Sequence, residues 1–261
     1  MNLNQRQTDI LNLLIEKGTV YSSDLSSQYS VSTETIRKDF NLLEELGYAQ
    51  KHHGFATVSE QYTKEALNLD TKRPLHSREK LLIAKKALDF IEDNSVIFCD
   101  SGSTVCELAQ YLTNYSSLTI VTSSLAIVDA FRNVSNGPHI FLMGGYVNYD
   151  YQLTRSMEFD NSVEQFRFAQ AFFGTTGVRY HDGPTSSKYR EGLVRQRVMR
   201  QSDCNIVLCD NSKFKTGGIH QYASWSECDY LITDGIPDEK MRETLEHQVK
   251  VIYCEGETGN L

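Results

Sequence analysis

The stretch Ser32-Thr-Glu-Thr-Ile-Arg-Lys-Asp-Phe-Asn-Leu-Leu-Glu-Glu-Leu-Gly47 decides how the rest of the chain is read. Ile36, Phe40 and Leu43 fall at i, i+4 and i+7, so a helix here carries them on one face while Arg37, Lys38 and Asn41 project from the other. Ser32 is placed to cap that helix and Gly47 to end it. Upstream, Ile10, Leu11, Leu14 and Ile15 follow helical spacing, with Gly18 as the stop. Ser22 or Ser23 can cap a short second helix through Tyr29, and Ser30-Val-Ser32 supplies the turn into the third. Downstream, Tyr48 to Val58 predicts two short extended segments around His53-Gly54, a wing. Three short helices followed by a small hairpin make a winged helix-turn-helix, assigned to residues 1–58. Its third helix would present Ser32, Thr33 and Thr35 to phosphates and Arg37 and Lys38 to phosphates or guanine edges, with His53 on the wing. The alternative, a three-helix interaction module that never touches DNA, is opposed by that set of side chains.

Composition bounds the rest. The chain has 261 residues, 40% hydrophobic and 23% charged, with four prolines, which excludes a disordered or collagen-like polymer. Its longest apolar runs are of strand length, so no membrane span is expected, and the N-terminal residues lack a basic segment followed by an apolar stretch. A cytoplasmic location is expected. Six cysteines without a Cys-x-x-Cys pair read as reduced, mostly buried thiols, and the seven histidines show no metal spacing, so no zinc or other cofactor is expected. Net charge is −8. Residues 1–56 hold five Lys/Arg against seven Asp/Glu, so any DNA contact must come from shape and a few placed cations.

Residues 59–79 are polar, weakly periodic and broken by Pro74, and are assigned as a linker. From residue 80 to 261, apolar runs at 96–100, 118–122, 139–143, 171–174, 206–210, 230–234 and 250–254 alternate with helical segments near 80–92, 104–112, 123–133, 188–202 and 238–246. That alternation predicts an α/β domain with a mainly parallel sheet. Ligands of such sheets bind beyond the carboxyl ends of the strands. Four loops there are polar or glycine-rich: Asp100-Ser101-Gly102-Ser103-Thr104, Gly144-Gly145, Gly174-Thr175-Thr176-Gly177 and Asp210-Asn211-Ser212-Lys213-Phe214. The first suits a phosphate, with close backbone approach, hydroxyls and the amides of a helix start. Thr175 and Thr176 could meet sugar hydroxyls, and Lys213 could neutralise a phosphate or hold a sugar oxygen. Each loop alone has an ordinary structural explanation; four at one sheet edge favour a shared small-molecule pocket.

Over nearly its full length the sequence resembles the DeoR family of bacterial transcriptional regulators. Val31-Ser-Thr-Glu-Thr-Ile-Arg-Lys-Asp-Phe40 with Leu43-Glu-Glu-Leu-Gly47 is similar to that family's DNA-recognition signature, and the four loops are similar to the blocks of its effector domain. The resemblance implies a sensor fold akin to ribose-5-phosphate isomerase and repression of sugar-uptake or sugar-catabolism operons in response to a phosphorylated sugar. It differs at the wing, His53-Gly54-Phe55-Ala56 in place of His-Gly-Gly-Ala, and after Gly144-Gly145, where Asn148 stands in place of a frequent Arg. At the position of the isomerases' catalytic Asp it places Thr176, a poor proton acceptor without an activating base.

The expectation is therefore a repressor and not an enzyme. Its partners would be double-stranded operator DNA, a phosphorylated sugar and further copies of itself, as a dimer or tetramer. The rival is a sugar-phosphate isomerase with an appended DNA-binding domain, for which Glu191 is a possible replacement base. A dinucleotide-binding redox sensor lacks its Gly-x-Gly-x-x-Gly after any strand.

Overall fold

Apolar periodicity sets each buried face of this chain, and the computed structural model shows where the polar exceptions go. It describes residues 3–59, 69–156, 162–178 and 182–254. The chain divides into two compact units, residues 1–77 and 78–261. Of the predicted linker 59–79, residues 60–68 lie outside the described residues, as does the side chain of Ile15.

In the first unit, helix α1 (Gln5–Lys17) starts at a capping box of Asn4 and Gln7 and stops at Gly18, whose φ is +74°. Strand β1 (Thr19–Tyr21) leads into α2 (Ser22–Tyr29). Helix α3 (Thr33–Glu45) begins where Ser32 Oγ accepts from Thr35 N. Strands β2 (Ala49–Lys51) and β3 (Phe55–Val58) form the wing hairpin, and β3 also pairs antiparallel with β1. Strand β1 was not anticipated, because three residues are too few to show an alternation. Neither Ser22 nor Ser23 caps α2: the cap position is Tyr21, and Ser22 donates from its backbone N and its Oγ to Gly54 O, at 2.9 and 3.0 Å. That contact ties α2 to the wing turn.

Ile10, Leu11, Leu14, Ile36, Phe40 and Leu43 are buried in one core. Asp39, three residues after Ile36, falls on the same face and is 2% exposed. Its carboxylate accepts from Arg6 Nε at 2.7 Å, Arg6 Nη2 at 3.2 Å and Gln7 Nε2 at 2.9 Å, pinning α3 to the first turn of α1. A one-turn helix α4 (Leu69–Lys72) buries Leu69 and Thr71, and Leu75 packs on this core.

The second unit follows helix α5 (Ser77–Ala87) with strand β4 (Val96–Cys99), a one-turn α6 (Ser103–Cys106), β5 (Thr119–Thr122), α7 (Leu125–Ala130) and β6 (His139–Leu142). A hairpin, β7 (Tyr146–Asn148) and β8 (Leu153–Arg155), precedes β9 (Gln170–Gly174), β10 (Thr185–Ser186) and α8 (Tyr189–Met199). The remainder is β11 (Asn205–Leu208), β12 (His220–Gln221), β13 (Tyr230–Thr233), α9 (Glu239–Glu246) and β14 (Lys250–Tyr253). The seven apolar runs form one parallel sheet in the order β14-β13-β11-β9-β4-β5-β6. The chain leaves β4 in one direction through β5 and β6 and in the other through β9, so the topological switch lies between β4 and β9. The helix expected over 104–112 is instead α6 and a separate 3₁₀ turn at Ala109–Tyr111. Val105, Cys106, Leu108, Ala109 and Leu112 are all buried, so packing on several sides sets its path.

Asp39→Ala leaves Arg6 and Gln7 without their shared acceptor. A loss on the order of 1–3 kcal/mol is expected in urea unfolding of the full chain, followed through the N-terminal unit. An unchanged midpoint would show that the pin carries no stability.

Candidate functional site

The exposed side of α3 is built by subtraction. Ile36, Asp39, Phe40 and Leu43 face inward, which leaves Thr33, Glu34, Arg37, Lys38 and Asn41 exposed. Ser32 Oγ lies 2.9 Å from Thr35 Oγ1 while accepting from Thr35 N at 3.2 Å, so both hydroxyls serve the helix start. Arg37 pairs with Glu34 at 3.3 Å, both well exposed, a contact weak enough for a phosphate to replace. Lys51 of β2 donates from its backbone to Glu44 and from Nζ to Asn41, which fixes the wing against α3. His53 is exposed at the wing turn, where Gly54 adopts φ +85°. Phe55 stacks on His52 with ring centroids at 4.6 Å and meets Tyr21 at 5.8 Å, so its ring fills the wing.

At the switch point of the second unit, Asp100 is 7% exposed. Its Oδ2 accepts from Arg195 Nε at 3.0 Å and Nη2 at 2.8 Å, and from Gly174 N at 3.1 Å. Arg195 comes from α8 and sits over the Tyr222 ring at 5.1 Å, while Tyr222 OH donates to Gly174 O at 2.9 Å. Burial works against the Arg195 charge, but Asp100, with Tyr222 and Glu191 adding, more than offsets it and raises its pKa above the ordinary guanidinium value. The loops after β4 and β9 touch through glycines: a Cβ on Gly102 would lie 3.3 Å from Gly174 Cα.

A cavity of about 40 Å³ opens beside this pair, beyond the ends of β4, β5 and β6. Asp100, Ser101, Ser123 and Gly144 line it from the strand ends, with Arg155 of β8 and Arg190, Glu191 and Arg195 of α8. The β7–β8 hairpin folds back over the sheet edge because Thr154 N donates to Ser123 O at 2.9 Å and Thr154 Oγ1 to Met143 O. Gly145, at φ +136°, leaves room for Arg155 O, where a Cβ would collide. Arg155 is ion-paired with Glu191, which also lies 3.7 Å from Lys188 Nζ. Lys188 sits over the Tyr151 ring; burial pushes its ammonium below the ordinary range, with Glu191 acting in the opposite direction. Among the described residues, no acceptor meets the backbone N–H of Ser101, Gly102 or Ser103.

Of the residues picked from sequence, the cavity gathers Asp100, Ser101 and Gly144, with Gly102 and Gly145 in the adjoining turns and Ser103 and Thr104 opening α6. The Asp100 carboxylate is taken up by Arg195 and Gly174. Thr175 Oγ1 donates to Gly177 O and accepts from Gly177 N and Thr185 N, and Thr176 Oγ1 accepts from Ser187 N, so both hydroxyls tie their loop to the chain at Thr185 and Ser187. Lys213 lies in the 3₁₀ turn Asn211–Lys215 and does not line the cavity. Arg155, Arg190 and Arg195 were missed. Arg195, four residues after Glu191, could have been sought on the face of α8 that meets the sheet edge; Arg155 reaches the site only through the fold-back of the hairpin.

A DeoR-like helix-turn-helix domain model matches residues 6–62, and a DeoR C terminal sensor domain model matches 75–235. With the exposed face of α3 and the cavity at the sheet edge, these matches define a DNA-binding transcription regulator with a sensor domain, and not an enzyme. The chain belongs to the DeoR family. It is similar to the lactose phosphotransferase system repressor of Staphylococcus epidermidis, 31% identical over 97% of this chain and 100% of that protein. It is also similar to the glycerol-3-phosphate regulon repressor of Escherichia coli, 27% identical over the same shares. Among solved structures, ribose 5-phosphate isomerase A of Methanocaldococcus jannaschii matches with a TM-score of 0.37 and 17% identity, over 51% of this chain and 52% of that one. Among the described residues, no helix is long and apolar enough to cross a membrane.

Two outcomes follow from these charges. Asp100→Ala or Arg195→Met strands the other ion in the interior and should cost about 3–5 kcal/mol in denaturant unfolding, whereas the double variant should cost less than the sum. Strict additivity would contradict the pairing. Asp234, at the end of β13, accepts from Asn211 N and Nδ2 at 2.8 and 2.7 Å, yet burial, with Asp210 and Glu79 adding, raises its pKa from 3.8 to about 6. The folded state therefore holds this proton more tightly than the unfolded chain. The resulting stability is full below pH ~4 and lost as pH rises through ~6. Asp234→Asn should gain thermal midpoint relative to wild type between pH 5 and 7; a constant difference would exclude the effect.

Proposed function

We propose that this chain is a sequence-specific repressor of a sugar-uptake or sugar-catabolism operon, relieved when a phosphorylated sugar binds the second unit. The observation that carries the reading is the cavity at the carboxyl ends of β4 to β6, which brings Ser101 of the loop after β4 together with Arg155, Arg190 and Arg195. Such a site recognises an oxyanion on a small polar ligand. Gly144, Gly145 and Thr104 shape the pocket. Thr175, Thr176 and Lys213, on neighbouring loops of the same edge, would contact the sugar once the loops adjust. Operator contact falls to Thr33, Arg37 and Lys38, with Ser32, Thr35 and His53 at the groove margins. The chain works in the cytoplasm as a dimer or tetramer, so that paired third helices meet repeated half-sites.

An inducer must bind the DNA-free conformation more tightly than the DNA-bound one, and a coupling of ~1–3 kcal/mol gives roughly 5–150-fold relief. The test is fluorescence anisotropy on the DNA upstream of the chain's own gene, titrated with a panel of sugar phosphates, each beside its unphosphorylated parent. One phosphorylated member should weaken binding by that factor. Arg37→Ala and Lys38→Ala should each weaken wild-type binding, by about 1–3 kcal/mol where the side chain reads a base. A monomeric protein whose DNA affinity ignores every sugar phosphate would refute the reading.

A further inference from the structure

Far below the roughly 300–1,000 Å³ of small-molecule sites, the cavity offers about 40 Å³. A phosphorylated sugar needs several times that space, so ligand entry requires the β7–β8 hairpin and α8 to part. Two contacts close that gap on the ligand side: Arg155 to Glu191, and Lys188 to both Glu191 and the Tyr151 ring. Arg155, Glu191 and Lys188 are only 19–24% exposed, so their charges are partly shielded from solvent. One carboxylate thus sits between two cations, and a residue carrying one of those cations lines the same cavity as the amide turn at Ser101. That is the environment a phosphate oxygen would seek.

We infer that Glu191 is a built-in anion that occupies the Arg155/Lys188 subsite in the empty protein and that a ligand phosphate displaces. This deepens the proposed function and rests on its placement of the ligand. Glu191 accordingly sets the ligand concentration at which the sensor responds: phosphate binding must exceed the ion pair it breaks. A Glu191 that instead grips sugar hydroxyls would have the opposite signature on removal.

The test uses full-length protein and inorganic phosphate, followed by thermal midpoint against phosphate concentration at ionic strength held constant with sodium chloride. Glu191→Gln and Glu191→Ala should each bind phosphate more tightly than wild type, on the order of fivefold or more, the equivalent of about 1 kcal/mol of competing ion pair. Adding Arg155→Ala to either should abolish the gain. Unchanged or weaker phosphate binding in both Glu191 variants, or a gain that survives Arg155→Ala, would overturn the inference. The sugar-phosphate panel separates it from the function itself. If wild type responds to a phosphorylated sugar and the Glu191 variants respond less well, the repressor reading stands and this inference falls. If the variants gain phosphate binding while no sugar phosphate changes DNA affinity, the inference stands and the inducer reading falls.

Discussion

Asp100 is the constraint on which the second unit turns. A carboxylate 7% exposed at the topological switch of a parallel sheet is tolerable only with charge and hydrogen bonds around it, and Arg195 and Gly174 N supply both. Three consequences follow. The loops after β4 and β9 are held so close that both carry glycine. Helix α8 is anchored over the sheet edge by Arg195, which brings Arg190 and Glu191 to the cavity rim. And the crevice between β4 and β9, where a ligand of this architecture would first be sought, is filled, so the open space shifts toward β5 and β6.

The first unit solves a smaller version of the same problem. An acidic residue three places after Ile36 must enter the core of a three-helix domain, and Arg6 and Gln7 receive it there. With Asp39 turned inward, the outer side of α3 keeps Arg37 and Lys38 paired at most with Glu34. A helix of modest charge can then serve a DNA-binding unit whose net charge is not basic, because local placement outweighs the sum.

Much of this was legible in the sequence. The Ile36, Phe40, Leu43 face and the seven apolar strand runs depend on local periodicity, which survives folding unchanged, and both appear in the structure as read. What periodicity cannot encode is long-range pairing. Asp100 read as a ligand-facing charge and Asp39 carried no assignment, and only the fold shows that Arg195 and Arg6 reach them across 95 and 33 residues. Thr175 and Thr176 looked like free hydroxyls for the related reason that their partners lie beyond their own turn, at Thr185 and Ser187. Arg155 enters the cavity through a hairpin of two three-residue strands, too short to announce itself. The family resemblance rested on the recognition helix and the loop motifs; of those loops the cavity takes in Asp100, Ser101 and Gly144, and the charges from β8 and α8 supply the rest of its lining.

On the proposed function, the sensor's ligand sits at the ends of β4, β5 and β6, between the Ser101 turn and the β7–β8 hairpin. Amide hydrogen exchange of the full chain, with and without the sugar phosphate that most stabilises it, tests this most directly. Ligand-dependent protection is predicted foremost at residues 101–104, 143–145 and 153–155, with lesser protection at 175–176 and 213. Protection confined to 211–215, or spread evenly through both units, would contradict it.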